Sequence, residues 1–289
     1  MPIRNRLLAA ILFILLFVSS AFGRDLVVTI IDVGQGDSIL IETPDGKNIL
    51  IDGGGIPAYR KQSYRIGARV IDPFLGKKKI KKLDKVILTH GHTDHLDGLL
   101  DIVAIYPVAE FVDTLEGGGG ITDDGYIKLL EIVKSRNIKY RLATAGDKLD
   151  FGPSLQVIVL NPPKKRFDNP NDNSLVLKIT YNKVSFLLAA DIGQAAERQI
   201  LSAHQDLVRS TILKVGHHGS RGSSCAAFLH EAKPEVAIIS CGRNNSFGHP
   251  HPEVLKRLKR AKIPYLVTAK KGTITVITDG QTYRVQTEY

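Results

Sequence analysis

Three short runs rich in aliphatic and β-branched residues come first: Leu26–Val33, Ser38–Glu42 and Asn48–Asp52. Gly34-Gln35-Gly36 and Pro44-Asp45-Gly46 separate them, and Gly53-Gly54-Gly55 ends the third. Apolar runs of this length between turn residues predict strands. Helices are then predicted at Ile66–Leu75, Leu96–Tyr106 and, with amphipathic spacing, Ile121–Asn137. The strand Lys85–Thr89 lies between the first two, and the Gly117–Gly120 loop precedes the third. Further strands are predicted at Leu155–Leu160, Leu175–Tyr181, Val184–Ala190, Ile212–Val215 and Val236–Ser240, with helices at Gln194–His204, Ser224–Glu231 and Pro252–Ala261. Strands Tyr265–Thr268, Thr273–Thr278 and Thr282–Gln286 finish the chain. No long Pro/Ser/Gly linker interrupts this order. It predicts one domain over residues 24–289, of the α/β (α+β) kind, with two sheets and helices outside them.

The first 23 residues read differently. Arg4 and Arg6 precede an unbroken apolar run, Leu7 to Val18, followed by small residues at Ala21 and Gly23. This is the pattern of a bacterial-type secretory signal peptide over 1–23, with an uncleaved anchor as the alternative. A membrane span needs about 20 apolar residues, and no later segment supplies them. The expectation is export, to the periplasm or beyond the cell. The segment carries two arginines and no acid, so its loss lowers the net charge from +10 to +8.

Composition excludes two classes. With 43% hydrophobic residues the chain is not intrinsically disordered, and 26 glycines in 289 residues are too few for collagen. Two cysteines, Cys225 and Cys241, make no disulfide scaffold; whether they pair stays open. The excess of 39 Lys+Arg over 29 Asp+Glu favours an anionic partner.

One segment carries chemistry. Thr89-His90-Gly91-His92-Thr93-Asp94-His95 joins a strand to a helix. Alternation in such a loop lets His90 and His92 converge on one point while Asp94 and His95 face a second. Imidazole and carboxylate suit Zn, Mn or Fe, and two such ions can clamp an in-line displacement at phosphorus.

Here the chain resembles the metallo-β-lactamase superfamily and, within it, the hydrolase domain of the competence DNA-uptake proteins of the ComEC/Rec2 type. The matching segments are Ile31-Asp32-Val33-Gly34-Gln35-Gly36-Asp37-Ser38, Leu50-Ile51-Asp52-Gly53-Gly54, Asn171-Asp172-Asn173-Ser174, Leu213-Lys214-Val215-Gly216-His217-His218-Gly219-Ser220 and Gly242-Arg243-Asn244-Asn245-Ser246-Phe247-Gly248-His249-Pro250-His251-Pro252. The resemblance implies a four-layer αβ/βα sandwich of two mixed sheets. It implies one or two divalent ions, Zn or Mn, with His90 and His92 on the first, Asp94, His95 and His217 on the second, and Asp191 bridging. The superfamily's third first-site histidine is absent, with Asp172 or Asn173 nearby instead. Where the superfamily has Gly before the bridging carboxylate, this chain has Ala190.

The implied activity is hydrolysis by a metal-activated water. Asp94 would orient that water or take its proton. His218, Gly219, Ser220, Asn245 and His249 would hold the phosphoryl group, His218 and His249 also acting in catalysis, His249 as acid for the leaving oxygen. Asp32, Asp37 and Asp52 would organise their loops and support the ligands. The expected substrate is exported or incoming DNA, cut by a phosphodiesterase or nuclease. The alternatives are another phosphodiester, thioester or amide, or a binding module with a decayed metal site. No nucleotide cofactor is implied. The basic runs Lys77–Lys82, Lys164–Arg166 and Lys256–Lys262 would form a rim that reads backbone rather than sequence, since no zinc-finger, helix-turn-helix or RNA-binding signature occurs.

Overall fold

The computed structural model describes residues 25–55, 65–115 and 124–289. The expected signal segment and the Gly117–Gly120 loop lie outside them. Eight strands form the first sheet: β1 (Leu26–Ile30), β2 (Ile39–Glu42), β3 (Asn48–Ile51), β4 (Leu83–Ile87), β5 (Val108–Asp113), β6 (Lys139–Leu142), β13 (Ile274–Thr278) and β14 (Tyr283–Thr287). Six form the second: β7 (Gln156–Asn161), β8 (Val176–Tyr181), β9 (Val184–Leu188), β10 (Ile212–Lys214), β11 (Val236–Ile239) and β12 (Tyr265–Val267). The spatial orders are β14-β13-β1-β2-β3-β4-β5-β6 and β12-β11-β10-β9-β8-β7. Both sheets are mixed. The pairs β3–β4, β4–β5 and β5–β6 are parallel, as are β9–β10, β10–β11 and β11–β12.

Strand alternation explains the layers. Ile39, Ile41, Ile49, Ile51 and Ile87 meet Leu177, Ile179, Phe186, Leu188 and Ile238 between the sheets. Their neighbours Leu40, Leu50, Val86 and Leu88 face outward and bury beneath helices α1 (Asp72–Lys77), α2 (Thr93–Ile105) and α3 (Asp124–Ser135). On the second sheet, Leu187, Leu213, Ala237 and Ile239 do the same beneath α4 (Gln194–Val208), α5 (Ala226–Ala232) and α6 (Pro252–Arg260). Strands covered on both faces read as continuous apolar runs, which is why they were legible. The result is the expected four-layer sandwich.

Two strands and two details escaped the pattern. β5 and β6 were not predicted because polar residues occupy their paired positions. Lys85, Glu110 and Lys139 lie in one cross-strand row, and Glu110 pairs with Lys85 and, at 3.0 Å, with Lys139. A short helix, α7 (Thr268–Lys271), follows β12. The helix expected from Ile66 begins as a π-helical turn, Gly67–Ile71, where Gly67 packs on the α2 backbone: a Cβ there would meet Gly98 O at 2.3 Å. Both cysteines are free thiols, Cys241 buried. No described helix is long and apolar enough to cross a membrane.

Candidate metal centre

The ligand-type residues gather where strands end. β4 runs through Leu88 and Thr89 into His90, and α2 starts at once behind His92. The Gly53–Gly55 loop closes on that helix start, where a Cβ on Gly53 would lie 2.3 Å from Leu99 N and one on Gly55 1.9 Å from Thr93 O. A Cβ on Gly36, at φ +117°, would lie 2.0 Å from Asp94 O, so only glycine admits the approach of the Asp37 loop to the motif. From the second sheet, Asp191 follows β9 and the His217-His218 turn follows β10.

Asp52 ties the motif down from below. It sits at φ 58° after β3 and accepts from Thr89 N, Thr89 Oγ1 and His95 Nδ1, each at 2.8 Å. Donation from His95 Nδ1 leaves Nε2 aimed at Asp191 Oδ2, 3.4 Å away. His218 is set the same way. Its Nδ1 donates to Ser240 O at 3.1 Å, and its Nε2 lies 3.4 Å from Asp94 Oδ2 and 3.3 Å from Asp191 Oδ2. His90 Nδ1 meets Thr89 Oγ1 at 3.2 Å and its Nε2 meets His92 Nδ1 at 3.0 Å.

Three buried carboxylates, Asp37, Asp52 and Asp191, therefore share one small volume with the half-buried Asp94. Lys214, fully buried in β10, pairs with Asp37, whose other oxygen lies 3.4 Å from His218 Nδ1. Burial opposes charge on all of these groups, but the neighbours decide the outcome. Burial lowers His95, yet Asp191 and Asp52 hold its pKa well above the usual histidine value. Burial likewise lowers His218, and Asp191 and Asp37 raise it well above. Asp191, despite its burial, is held far below the usual carboxylate range by His218, His95 and His217. His90 goes the other way, pushed well down by burial and by His95.

The cluster fits a metal ion. Asp191 Oδ1, His95 Nε2, His218 Nε2 and Asp37 Oδ1 are buried with no hydrogen-bond partner, and such orphans are rare unless something else satisfies them. Ligand atoms of His90, His95 and Asp191 lie within 4.8 Å of one another, as do those of Asp94, His95 and His218, and of Asp37, Asp191 and His218. Mixed imidazole and carboxylate donors are those of Zn, Mn or Fe sites.

The predicted residues distribute unevenly over this centre. His90, Asp94, His95 and Asp191 lie in it, His95 beside His90 rather than apart from it, and His92 touches His90. His217 stands further off, with Nε2 3.8 Å from Asp191 Oδ2 and a side chain 30% exposed, while its neighbour His218 takes the ligand-type position. Asp37 joins the cluster beside Asp191 and His218. Asp172 stays out of it: its Oδ1 accepts from Gly193 N at 2.8 Å, at the start of α4. Asn173 is likewise occupied, exchanging hydrogen bonds with the Phe167 backbone.

Of the expected substrate-side residues, Asn245 spends its amide within its own loop, donating to Gly242 O and His249 O and accepting from His249 N. Ser220 N donates to His217 O at 2.7 Å, and Gly219 O accepts from His251 N at 2.9 Å, which fixes the turn. His249 stands beside His217 and His218, at ring separations of 5.8 and 6.2 Å, and its Nδ1 is buried without a partner.

The first basic run lies away from the centre. Lys77–Lys82 precedes β4, so the strand's length separates it from His90; Lys78 pairs with Glu42 and Lys82 with Asp84 there. On α6, Arg257 and Arg260 line a recess of about 950 Å³ with Arg209 and Lys233, beside the residues that lead into β11. That recess lies at the end of the sheet away from the ligand cluster. Arg166 comes nearer, donating to Thr114 O beside the end of β4.

The sequence profile of the metallo-β-lactamase superfamily matches residues 31–243. The chain belongs to the metallo-β-lactamase superfamily. Among curated relatives, the ComE operon protein 3 of Bacillus subtilis is 33% identical over 268 residues, 90% of this chain and 34% of that protein. Recombination protein 2 of Haemophilus influenzae is 33% identical over 253 residues, 86% of this chain and 28% of that protein. The chain thus spans about a third of the length of these relatives. Among solved structures, CmlA, a diiron beta-hydroxylase from Streptomyces venezuelae, superposes with a TM-score of 0.53 at 12% identity, over 91% of this chain and 54% of CmlA. Igni18, a metallo hydrolase from Ignicoccus hospitalis, gives 0.52 at 16%, over 87% of this chain and 98% of Igni18. These two share the fold. The chain is a metal-dependent hydrolase of this superfamily, with the ligand cluster as its candidate metal site.

Proposed function

We propose that the chain is a phosphodiesterase that cuts DNA outside the cytoplasm. The observation that carries this reading is the pair of ligand sets joined through the Asp191 carboxylate, one with His90 and His95 and one with Asp37 and His218. Two adjoining sets suit two divalent ions, the arrangement that clamps the attacking and leaving oxygens of a phosphodiester. Relatives named for competence and recombination support DNA as the substrate, and the pattern from Arg4 to Gly23 supports export. When bound, the ions supply Lewis acidity and acidify water.

The chain's own residues do the rest. Asp52 and the Ser240 carbonyl hold His95 and His218 in the tautomer that presents Nε2. Asp94, at the first turn of α2, orients the attacking water with its carboxylate and accepts its proton. His249 is driven to about 3 by burial, helped by His218 and His217, so it is neutral at pH 7. It holds the leaving oxygen by a hydrogen bond rather than as a standing cation.

The test is cleavage of bis-(p-nitrophenyl) phosphate and of single-stranded and duplex DNA by purified chain, stripped with EDTA and resupplied with Mn or Zn. Activity is expected only with metal, and is lost in His92→Ala and Asp191→Ala. Full DNA cleavage by a folded Asp191→Ala protein would overturn the mechanism. A protein that retains no metal would point to a binding module instead.

A further inference from the structure

Helix α6 is apolar only where it meets the core. Val254 and Leu258 are fully buried and seat it on the second sheet. Lys256 and Lys259, three residues apart on its exposed side, line a groove of about 440 Å³. Lys262, just past the helix end at φ 57°, lines the same groove. Leu255, Ile263, Pro264 and Tyr265 complete its walls, and among the described residues no acid does. None of the three lysines is in an ion pair among the described residues. Glu253, the one acid of the helix, attracts Lys256 from a turn away but lies 3.7 Å from the Arg221 guanidinium. The recess on the other side of α6 differs, because Asp206, Glu231 and Glu235 line it beside its cations.

Two simpler roles do not account for this row. A helix dipole favours cations in the last turn, which Arg257, Lys259 and Arg260 already fill, whereas Lys256 lies before that turn. A helix that lies on a membrane keeps an apolar stripe free for lipid, and here Val254 and Leu258 are spent on the core. A row of ammonium groups with no carboxylate among them matches a chain of phosphodiesters, whose condensed counterions it displaces. Position adds to charge. α6 starts at His251, whose N–H donates to Gly219 O and whose Nδ1 accepts from Arg221 N, in the turn that carries His218. Its nine residues run about 13 Å away from that turn. A polymer lying along the helix spans both the groove and the metal centre; a small phosphodiester does not.

We propose that the α6 face lined by Lys256, Lys259 and Lys262 is a docking surface for the phosphodiester backbone of a nucleic acid. It holds the polymer away from the metal centre, by charge and without reading bases. This rests on the phosphodiesterase reading and deepens it, because it makes a polymer, rather than a single nucleotide, the ligand of the chain.

The test is salt-dependent binding of a phosphorothioate-linked, cleavage-resistant duplex to the Mn-loaded protein, by fluorescence anisotropy from about 50 to 300 mM salt. Three phosphate contacts contribute about 2.7 to the slope of log affinity against log salt. Lys256→Gln, Lys259→Gln and Lys262→Gln together should lower the slope by about that amount, and replacing the same three by Arg should keep it. Lys77→Gln, Lys79→Gln and Lys81→Gln remove equal charge from the exposed run before β4, and should lower the slope by less than about 1. Equal falls in the two Gln variants, no fall in the α6 variant, or a wild-type protein that binds no duplex would overturn the surface. So would a loss of co-sedimentation with phosphatidylserine vesicles in an α6 variant whose duplex slope is unchanged, which would assign the face to lipid. Cleavage by the wild-type protein is read separately. The expected slopes in a protein that cuts no phosphodiester sink the catalytic reading alone, and cleavage with an unchanged slope sinks the surface alone.

Discussion

Lys214→Met removes a buried cation beneath the metal centre. The side chains of Lys214 and Asp37 are 1% and 2% exposed, and their pairing joins β10 to the loop after β1. Breaking a buried pair by deleting one partner costs about 3–5 kcal/mol, because the other charge stays buried without compensation. For a domain of this size that is a fall in Tm of roughly 10 °C. The loss should depend on pH. Burial raises the Asp37 pKa, and Lys214, with His218, outweighs it and holds the carboxyl below its ordinary value. The pair's stabilisation is therefore present above the unfolded carboxyl pKa and fades as pH falls through the lower folded one. Without Lys214 the folded pKa rises, Asp37 takes a proton in mild acid, and the gap to wild type narrows there. Urea unfolding of EDTA-treated protein from pH 4.5 to 8 measures this. Adding Asp37→Leu should restore much of the lost stability, since replacing both charges removes the orphan. It should not restore metal affinity, because Asp37 also faces His218. A single-variant loss under about 1 kcal/mol, or strict additivity in the double variant, would refute the reasoning.

Two further outcomes follow from strain and burial. Ala190 sits at φ 44° just before Asp191, in the left-handed region that glycine tolerates better. Ala190→Gly should raise the unfolding free energy measured in urea by up to about 1 kcal/mol, strain relief offset by chain entropy, and a loss of stability would count against it. Lys178 is buried in β8, donates to Ser185 Oγ and Arg209 O, and burial lowers its pKa from 10.5 to about 8. A depressed folded pKa means the unfolded chain binds the extra proton between those values, so stability rises with pH across that window and is lost as pH falls through 8. That rise should be absent in Lys178→Met, and matching profiles for the two proteins would show that the lysine is not desolvated.

Much of the molecule was legible because it is written locally. The motif from His90 to His95 spans one strand-to-helix junction, so its spacing alone brings His90, His95 and Asp94 together. Strands buried on both faces announce themselves as apolar runs, as Ile39–Ile41 and Phe186–Leu188 do. β5 and β6 did not, because their polar rows are satisfied across strands and no single strand shows the pairing. The departure at Ala190 was visible as a residue type, but its left-handed backbone was not.

Tertiary structure decided whatever depends on where separate segments meet. Sequence placed two histidines at 217 and 218; only the turn after β10, with Ser240 O receiving His218 Nδ1, turns His218 rather than His217 onto Asp94 and Asp191. Asp172 stood near the expected gap in the ligand set, yet its carboxylate goes to the backbone N–H of Gly193. Lys82 is 8 residues from His90 in sequence and a strand's length away in space. Local order fixes the residues a short loop can bring together. The partners of a buried charge, such as Lys214 with Asp37, are chosen only when the two sheets close and leave that charge no water.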